Sequence, residues 1–256
     1  MMLKRLPYVF LLLLIGCVSQ SPRVTAPPPP RPFLIHLPGI GGERRLDRRM
    51  VEGLTAGGFS GEVEIYDWTD KRPGLPALLS YARNQIEAQL IADKITEIHR
   101  RQPERPILIT SHSGGTGLAV WALEKLPADV QVERVILLAS ALSPQYDLSL
   151  ALSHVRGHMY NFWSNQDVTV LSTGTTIFGT IDGVKTPAAG FVGFTPPKTA
   201  NARQYQKLQQ LAYEADWAQF GNTGGHIGAM SKAFAINVLA PLVSEPVMFS
   251  ASCEGR

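Results

Sequence analysis

The stretch Pro106-Ile107-Leu108-Ile109-Thr110-Ser111-His112-Ser113-Gly114-Gly115 decides the fold, together with the helix that follows it. Pro106 to Thr110 is a short apolar run bounded by turn residues, the pattern of a buried strand. Beyond the small residues, Leu118-Ala119-Val120-Trp121-Ala122-Leu123 is apolar around nearly its whole circumference, as expected of a helix lying against the centre of a sheet. The order is therefore strand, sharp turn, buried helix. Working outward, Phe33-Leu34-Ile35-His36-Leu37, Val63-Glu64-Ile65-Tyr66 and Arg134 to Ala139 have the same strand-like shape, and Gly157 to Trp163 is a fifth candidate. Helical stretches lie between them at Arg44 to Thr55, Leu78 to Arg101 and Thr116 to Leu126. This alternation predicts an α/β fold with a mostly parallel sheet and helices on both faces. In such sheets reactive groups gather in the loops at the carboxyl ends of the strands.

The turn Ser111-His112-Ser113-Gly114-Gly115 resembles the nucleophile elbow of α/β-hydrolases, with Ser113 as nucleophile. Strand and helix cross closely there, so the positions two before and two after the serine must be small. Ser111 and Gly115 meet that demand, Ser111 standing where the common pattern has glycine. Nucleotide-binding readings of the same glycines fail. In G-x-G-x-x-G the third glycine is Val120, and in G-x-x-x-x-G-K-[ST] the second glycine after Gly39 is Arg44.

The segment His36-Leu37-Pro38-Gly39-Ile40-Gly41-Gly42 ends the first strand, where this fold places its oxyanion loop. By that resemblance, Gly114 N–H and an N–H of Ile40 or Gly41 would hold the developing oxyanion. Glycine suits the task because backbone must approach the ligand closely. A plain Pro-Gly turn into a helix is the alternative. The chain order of the fold, Ser then Asp or Glu then His, narrows the partners. Of six histidines only His226 follows residue 158, in the flexible loop Gly224-Gly225-His226-Ile227-Gly228 before a helix expected over Ala229 to Leu239. For the acid, Asp167 follows the fifth strand; Asp147, soon after the fourth, is its rival and Asp182 stands third. Each is otherwise a solvated loop aspartate.

The resemblance runs from Phe33 to about Val243. It implies acyl transfer by Ser113, His226 and Asp167, esters as substrates and no cofactor. A peptidase or acyltransferase on the same residues, or a non-catalytic envelope-anchored binding protein, are the other classes. Between Asp167 and His226 lie 58 residues, long for one loop, so part of residues 168–215 is expected to cover the site. Phe178, Phe191 and Phe194 there, and Trp68 after the second strand, read either as core or as lining of an acyl pocket.

Composition agrees with a folded domain. The 256 residues are 45% hydrophobic and 18% charged with mean hydropathy +0.01, which excludes disorder and coiled coil. A net charge of +3 does not advertise a nucleic-acid partner. Two cysteines, Cys17 and Cys253, make no disulfide framework, and the chain has neither C-x-x-C nor H-E-x-x-H, so no metal is expected.

The start of the chain reads as an address. Lys4 and Arg5 precede the apolar run Leu6 to Ile15, too short to span a bilayer. Its ending, Leu14-Ile15-Gly16-Cys17, resembles the lipobox of bacterial lipoproteins, which implies that residues 1–16 are a signal, that Cys17 is lipidated and that the protein is anchored to a membrane of the cell envelope. Residues 17–32 then form a linker. Six prolines in the twelve residues Ser21 to Pro32 favour an extended spacer. The catalytic domain is expected over 33–256.

Overall fold

The computed structural model describes residues 30–244. Residues 1–29, on which the expected signal, the expected lipidation at Cys17 and most of the expected linker fall, lie outside the described residues, as does Cys253.

Six strands form one sheet: β1 (Phe33–Leu37), β2 (Glu62–Ile65), β3 (Ile107–His112), β4 (Arg134–Leu138), β5 (Met159–Trp163) and β6 (Leu208–Ala212). Their order is β2-β1-β3-β4-β5-β6, every pair parallel. Parallel strands need crossovers, and helices supply them: α1 (Arg45–Ala56), α2 (Leu75–Leu79), α3 (Tyr81–Arg101), α4 (Gly115–Glu124) and α5 (Ser149–Ser153), followed by a helical run over residues 232–244. Because successive side chains point to opposite faces, the sheet feeds two cores. Ile35, Leu37, Ile109, Val135 and Leu137 pack against α3, α4 and α5. Leu34, Leu108, Ile136, Leu138 and Phe162 pack against α1 and the C-terminal run through Met50, Leu54, Phe234 and Leu239.

The departures from the sequence reading sit mostly at edges. Val63 to Tyr66 was expected to be fully buried, but β2 is an edge strand whose residues are half-buried or exposed. β6, the opposite edge, has no apolar run to announce it; among the described residues Leu208-Gln209-Gln210-Leu211-Ala212 pairs only with β5. The helix expected from Leu78 breaks at Ser80, whose non-helical backbone (ψ 62) separates α2 from α3, while its Oγ donates to Pro76 O at 2.6 Å. The C-terminal helix begins at Lys232 rather than Ala229, because Ser231 takes the N-cap position and accepts from Phe234 N–H.

Candidate active site

β3 carries the chain to Ser113 at the carboxyl edge of the sheet. Ser113 has φ +52, the left-handed region that a non-glycine residue occupies only where surrounding structure compels it, and its N–H is tied to Leu138 O at 2.9 Å. The following helix starts so close to β1 that a Cβ on Gly115 would lie 2.4 Å from both Leu37 O and Pro38 O. A side chain on Gly117 would strike Ile181. The requirement for small residues around this turn is thus a contact between α4 and the end of β1.

The loop between β1 and α1 is braced from several sides. Trp68 Nε1–H donates to Pro38 O at 2.7 Å, Gly74 N–H to Ile40 O at 2.6 Å and Gly42 N–H to Gly39 O at 3.0 Å. Trp68, fully buried, is therefore a brace for this loop rather than lining of an acyl pocket. Among the described residues nothing accepts from the N–H of Ile40, Gly41 or Gly114, which leaves three donors free beside Ser113. Beneath the loop, His36 and Asp47 form a buried pair (Nε2 to Oδ1, 3.1 Å), with His36 Nδ1 3.0 Å from Thr110 Oγ1. Burial alone would push the Asp47 carboxyl up, but the hydrogen bond and charge of His36, helped by Arg44 N–H, hold it below the usual carboxylate range.

His226 arrives from a loop shaped by glycine and asparagine. Gly224 has φ +80, and the buried Asn222 accepts from Gly224 N–H at 3.0 Å. The structure brings Ser113, His226 and Asp167 together: His226 Nε2 lies 3.0 Å from Ser113 Oγ, and His226 Nδ1 lies 2.6 Å from Asp167 Oδ2. A carboxylate can only accept, so Nδ1 carries the proton and Nε2 offers its lone pair to the Ser113 hydroxyl. Asp167 is 4% exposed whereas the His226 side chain is 19% exposed, so the acid end of the line is shielded from bulk water and the ring edge reaches the surface. The rival acids point elsewhere. Asp147 accepts from Ser149 N–H and Oγ and from Thr199 Oγ1, and Asp182 from Ser143 N–H and Oγ.

One participant was missed in the sequence. His112, set aside because it precedes the acid in the chain, places its Nε2 2.9 Å from His226 O, and the two rings lie 4.9 Å apart. That oxygen accepts only, so Nε2–H donates. Burial, reinforced by the nearby His226, lowers the His112 pKa to about 3 and keeps the ring neutral. The available signal was its place inside the turn, one residue before Ser113.

A cavity of about 230 Å³ opens over Ser113 and His226, with Ile40, Leu46, Val170 and Ile227 as its apolar walls. The three phenylalanines do not line it: Phe194 is in the core, Phe191 is half-buried and Phe178 is exposed on a separate depression with Leu79 and Ile181. Of residues 168–215, Val170 reaches this cavity, whereas β6 and the segment around Ala189 pack against the sheet. Among the described residues no cluster of three or more His, Cys, Asp or Glu could hold a metal ion.

An all-parallel sheet flanked by helices, a strand–turn–helix at Ser113 and the chain order Ser113, Asp167, His226 are the features of the α/β-hydrolase fold. Similar solved structures include a protein assigned to the alpha/beta hydrolase superfamily from Xanthomonas campestris pv. campestris (18% identity, TM-score 0.44, covering 80% of this chain and 96% of that one). A lipase-esterase related protein from Clostridium acetobutylicum ATCC 824 is similar at 9% identity and TM-score 0.48, over 83% of this chain and 93% of that one. An acetylxylan esterase is similar at 11% identity and TM-score 0.45, over 80% and 96%. No family model and no curated protein matches the chain.

Proposed function

We propose that this protein is a serine hydrolase that cleaves carboxylic esters by acyl transfer. The observation that carries the reading is the continuous line from Ser113 Oγ through His226 to Asp167, at 3.0 and 2.6 Å. As Ser113 Oγ attacks the ester carbonyl, His226 Nε2 takes the hydroxyl proton and the C=O π pair moves onto oxygen. The N–H groups of Gly114 and of Ile40 or Gly41 receive that oxyanion. Asp167 holds the ring by its Nδ1–H and offsets the positive charge it acquires. Collapse of the intermediate breaks the bond to the alcohol oxygen, which leaves with the proton from His226. Water then attacks the acyl-serine by the same steps, releasing the acid and restoring Ser113. His112, neutral and hydrogen-bonded to the backbone of His226, adds no competing charge as the imidazolium forms.

Labelling with a fluorophosphonate followed by peptide mapping tests this reading without knowledge of the natural substrate. Modification at Ser113, lost in Ser113→Ala with unchanged circular dichroism, is the expected result. A folded, unlabelled wild type, or full ester hydrolysis by Ser113→Ala, rejects it.

The lipobox-like end of the leader supports a second proposal: the enzyme is held at a bacterial envelope membrane through lipidated Cys17, with the Pro-rich segment as spacer. An acyl chain contributes about 0.8 kcal/mol per buried CH₂. Metabolic labelling with a fatty-acid analogue should mark the wild type and not Cys17→Ala; equal labelling of both, or none, rejects the anchor.

A further inference from the structure

The cavity over Ser113 does not end at its apolar walls. Across Leu46, which lines both, it adjoins a wider groove of about 850 Å³ between α1 and the start of the C-terminal run. Leu46 and Met230 give this groove apolar surface, while Arg45, Arg48, Arg49 and Lys232, set against the carboxylate of Glu52, give its lining an excess of positive charge. Arg44 belongs to the Ser113 cavity itself, as does Asp47, whose carboxylate oxygens are taken by His36 Nε2 and Arg44 N–H. The Arg44 guanidinium lies against Gly41, with Nε donating to Gly41 O at 3.3 Å, in the space a Cβ on Gly41 would occupy. Gly41 is thus a glycine partly because an arginine is folded over it.

Part of this charge is not consumed locally. Arg48 pairs with Glu43 at 2.7 Å and Lys232 with Glu52 at 3.1 Å, but among the described residues Arg44, Arg45 and Arg49 have no carboxylate within 4.0 Å. The helix does not need them. The dipole of α1 disfavours cations in its first turn, so Arg44 and Arg45 work against the stability of the element that carries them. Nor does their charge follow a generally basic chain, since the net charge of the whole protein is only +3. Positive charge concentrated along a concave wall focuses the field on whatever lies in the groove and raises the local concentration of anions.

We propose that the natural substrate is an ester whose non-reacting part carries a carboxylate or phosphate group, which rests on the α1 arginines while the ester carbonyl lies at Ser113. This rests on the serine-hydrolase reading and adds the substrate's charge. Arg44 selects an anion close to the reacting carbonyl, and Arg45 with Arg49 selects one farther along, past Leu46. The guanidinium fork suits both groups because it donates in pairs to carboxylate or phosphate oxygens.

The test compares 4-nitrophenyl half-esters of succinate, adipate and suberate with their neutral methyl-capped counterparts. The readout is the ratio of kcat/KM, anionic over neutral, in each protein, which cancels any general change in activity. At low salt the wild type should favour the anionic ester by about tenfold for at least one chain length, the scale that a few exposed charge contacts supply together. The preference should fall towards unity in 0.5 M salt, because exposed charges are screened over a few ångströms there, and in Arg45→Gln/Arg49→Gln and Arg44→Gln at any salt. A wild-type ratio at or below unity for the soluble esters together with no preference for the anionic vesicles, or a preference that survives the arginine substitutions, overturns the proposal. Phosphatidylglycerol and phosphatidylcholine vesicles distinguish the source of the anion. Selective release of fatty acid from the anionic lipid, without preference among soluble half-esters, assigns the charge to a lipid headgroup; no charge preference in either arm overturns the proposal. Calorimetric binding of suberate to Ser113→Ala, weakened in the arginine variants, reads the anion site without turnover. Suberate binding that is lost with the arginines, together with a folded wild type that fluorophosphonate does not label, therefore sinks the hydrolase reading alone; equal binding by all variants sinks the anion site alone.

Discussion

Adding one methyl group at Gly115 should separate the chemistry of this site from its fold. The new Cβ would stand 2.4 Å from Leu37 O and Pro38 O, where ordinary contacts begin near 3.4 Å, so α4 and the end of β1 must part by about 1 Å. Pro38 leads through Gly39 into Ile40 and Gly41, which line the cavity over Ser113, and a 1 Å misplacement of groups beside the reacting centre costs on the order of 10²-fold in rate. Losing an oxyanion donor outright costs about 10² to 10³. Overpacking of this kind costs roughly 1–3 kcal/mol of stability, which lowers the melting temperature of a domain this size by roughly 3–10 °C. Gly115→Ala should therefore remain folded below its melt and react with the fluorophosphonate about a hundredfold more slowly. Labelling at the wild-type rate with an unchanged melt would refute the reasoning, because α4 would then not be held against β1 at Gly115.

Asp167→Asn should lose at least ~10³-fold in turnover, scaled down from the ~10⁴ known for such a change in another triad enzyme, while Asp147→Asn stays within about tenfold; the reverse ranking, with equal melts, moves the acid to the loop after β4. His112→Gln keeps a donor near the His226 carbonyl and should label faster than His112→Phe, which loses it and should fall by on the order of 10²; equal rates would show that the hydrogen bond does not matter. Glu124, beside Tyr146, is pushed up by burial to about 7. The folded state therefore binds the Glu124 proton more tightly than the unfolded chain, and stability should decline as pH rises from about 4.5 to about 7. In Glu124→Gln that part of the decline should vanish from chemical denaturation curves, and an unchanged pH dependence would show that the carboxyl is solvated.

What could be read from the chain alone was whatever rests on local pattern. Short apolar runs and an apolar helix announce β1, β3, β4, β5 and α4, because an element buried on both sides must be apolar along its whole length. The turn at Ser113 was legible for the same local reason: small residues at fixed offsets mark backbones that cross closely. The strand at β2 was legible but not its half-solvated position, and β6 was missed, because an edge strand needs no continuous apolar run. Chain order singled out His226 but could not choose its partner, since Asp147 and Asp167 both follow strands on the same edge. Only the tertiary structure separates them, turning Asp147 to Ser149 and Thr199 and setting Asp167 against His226 across a gap of 59 positions. His112 under the histidine loop, Trp68 under Pro38 and the arginines of α1 along the groove belong to the same class. Each joins residues far apart in the chain, and such a contact leaves no periodicity or spacing in the sequence because its geometry exists only once the sheet has brought the loops to one edge.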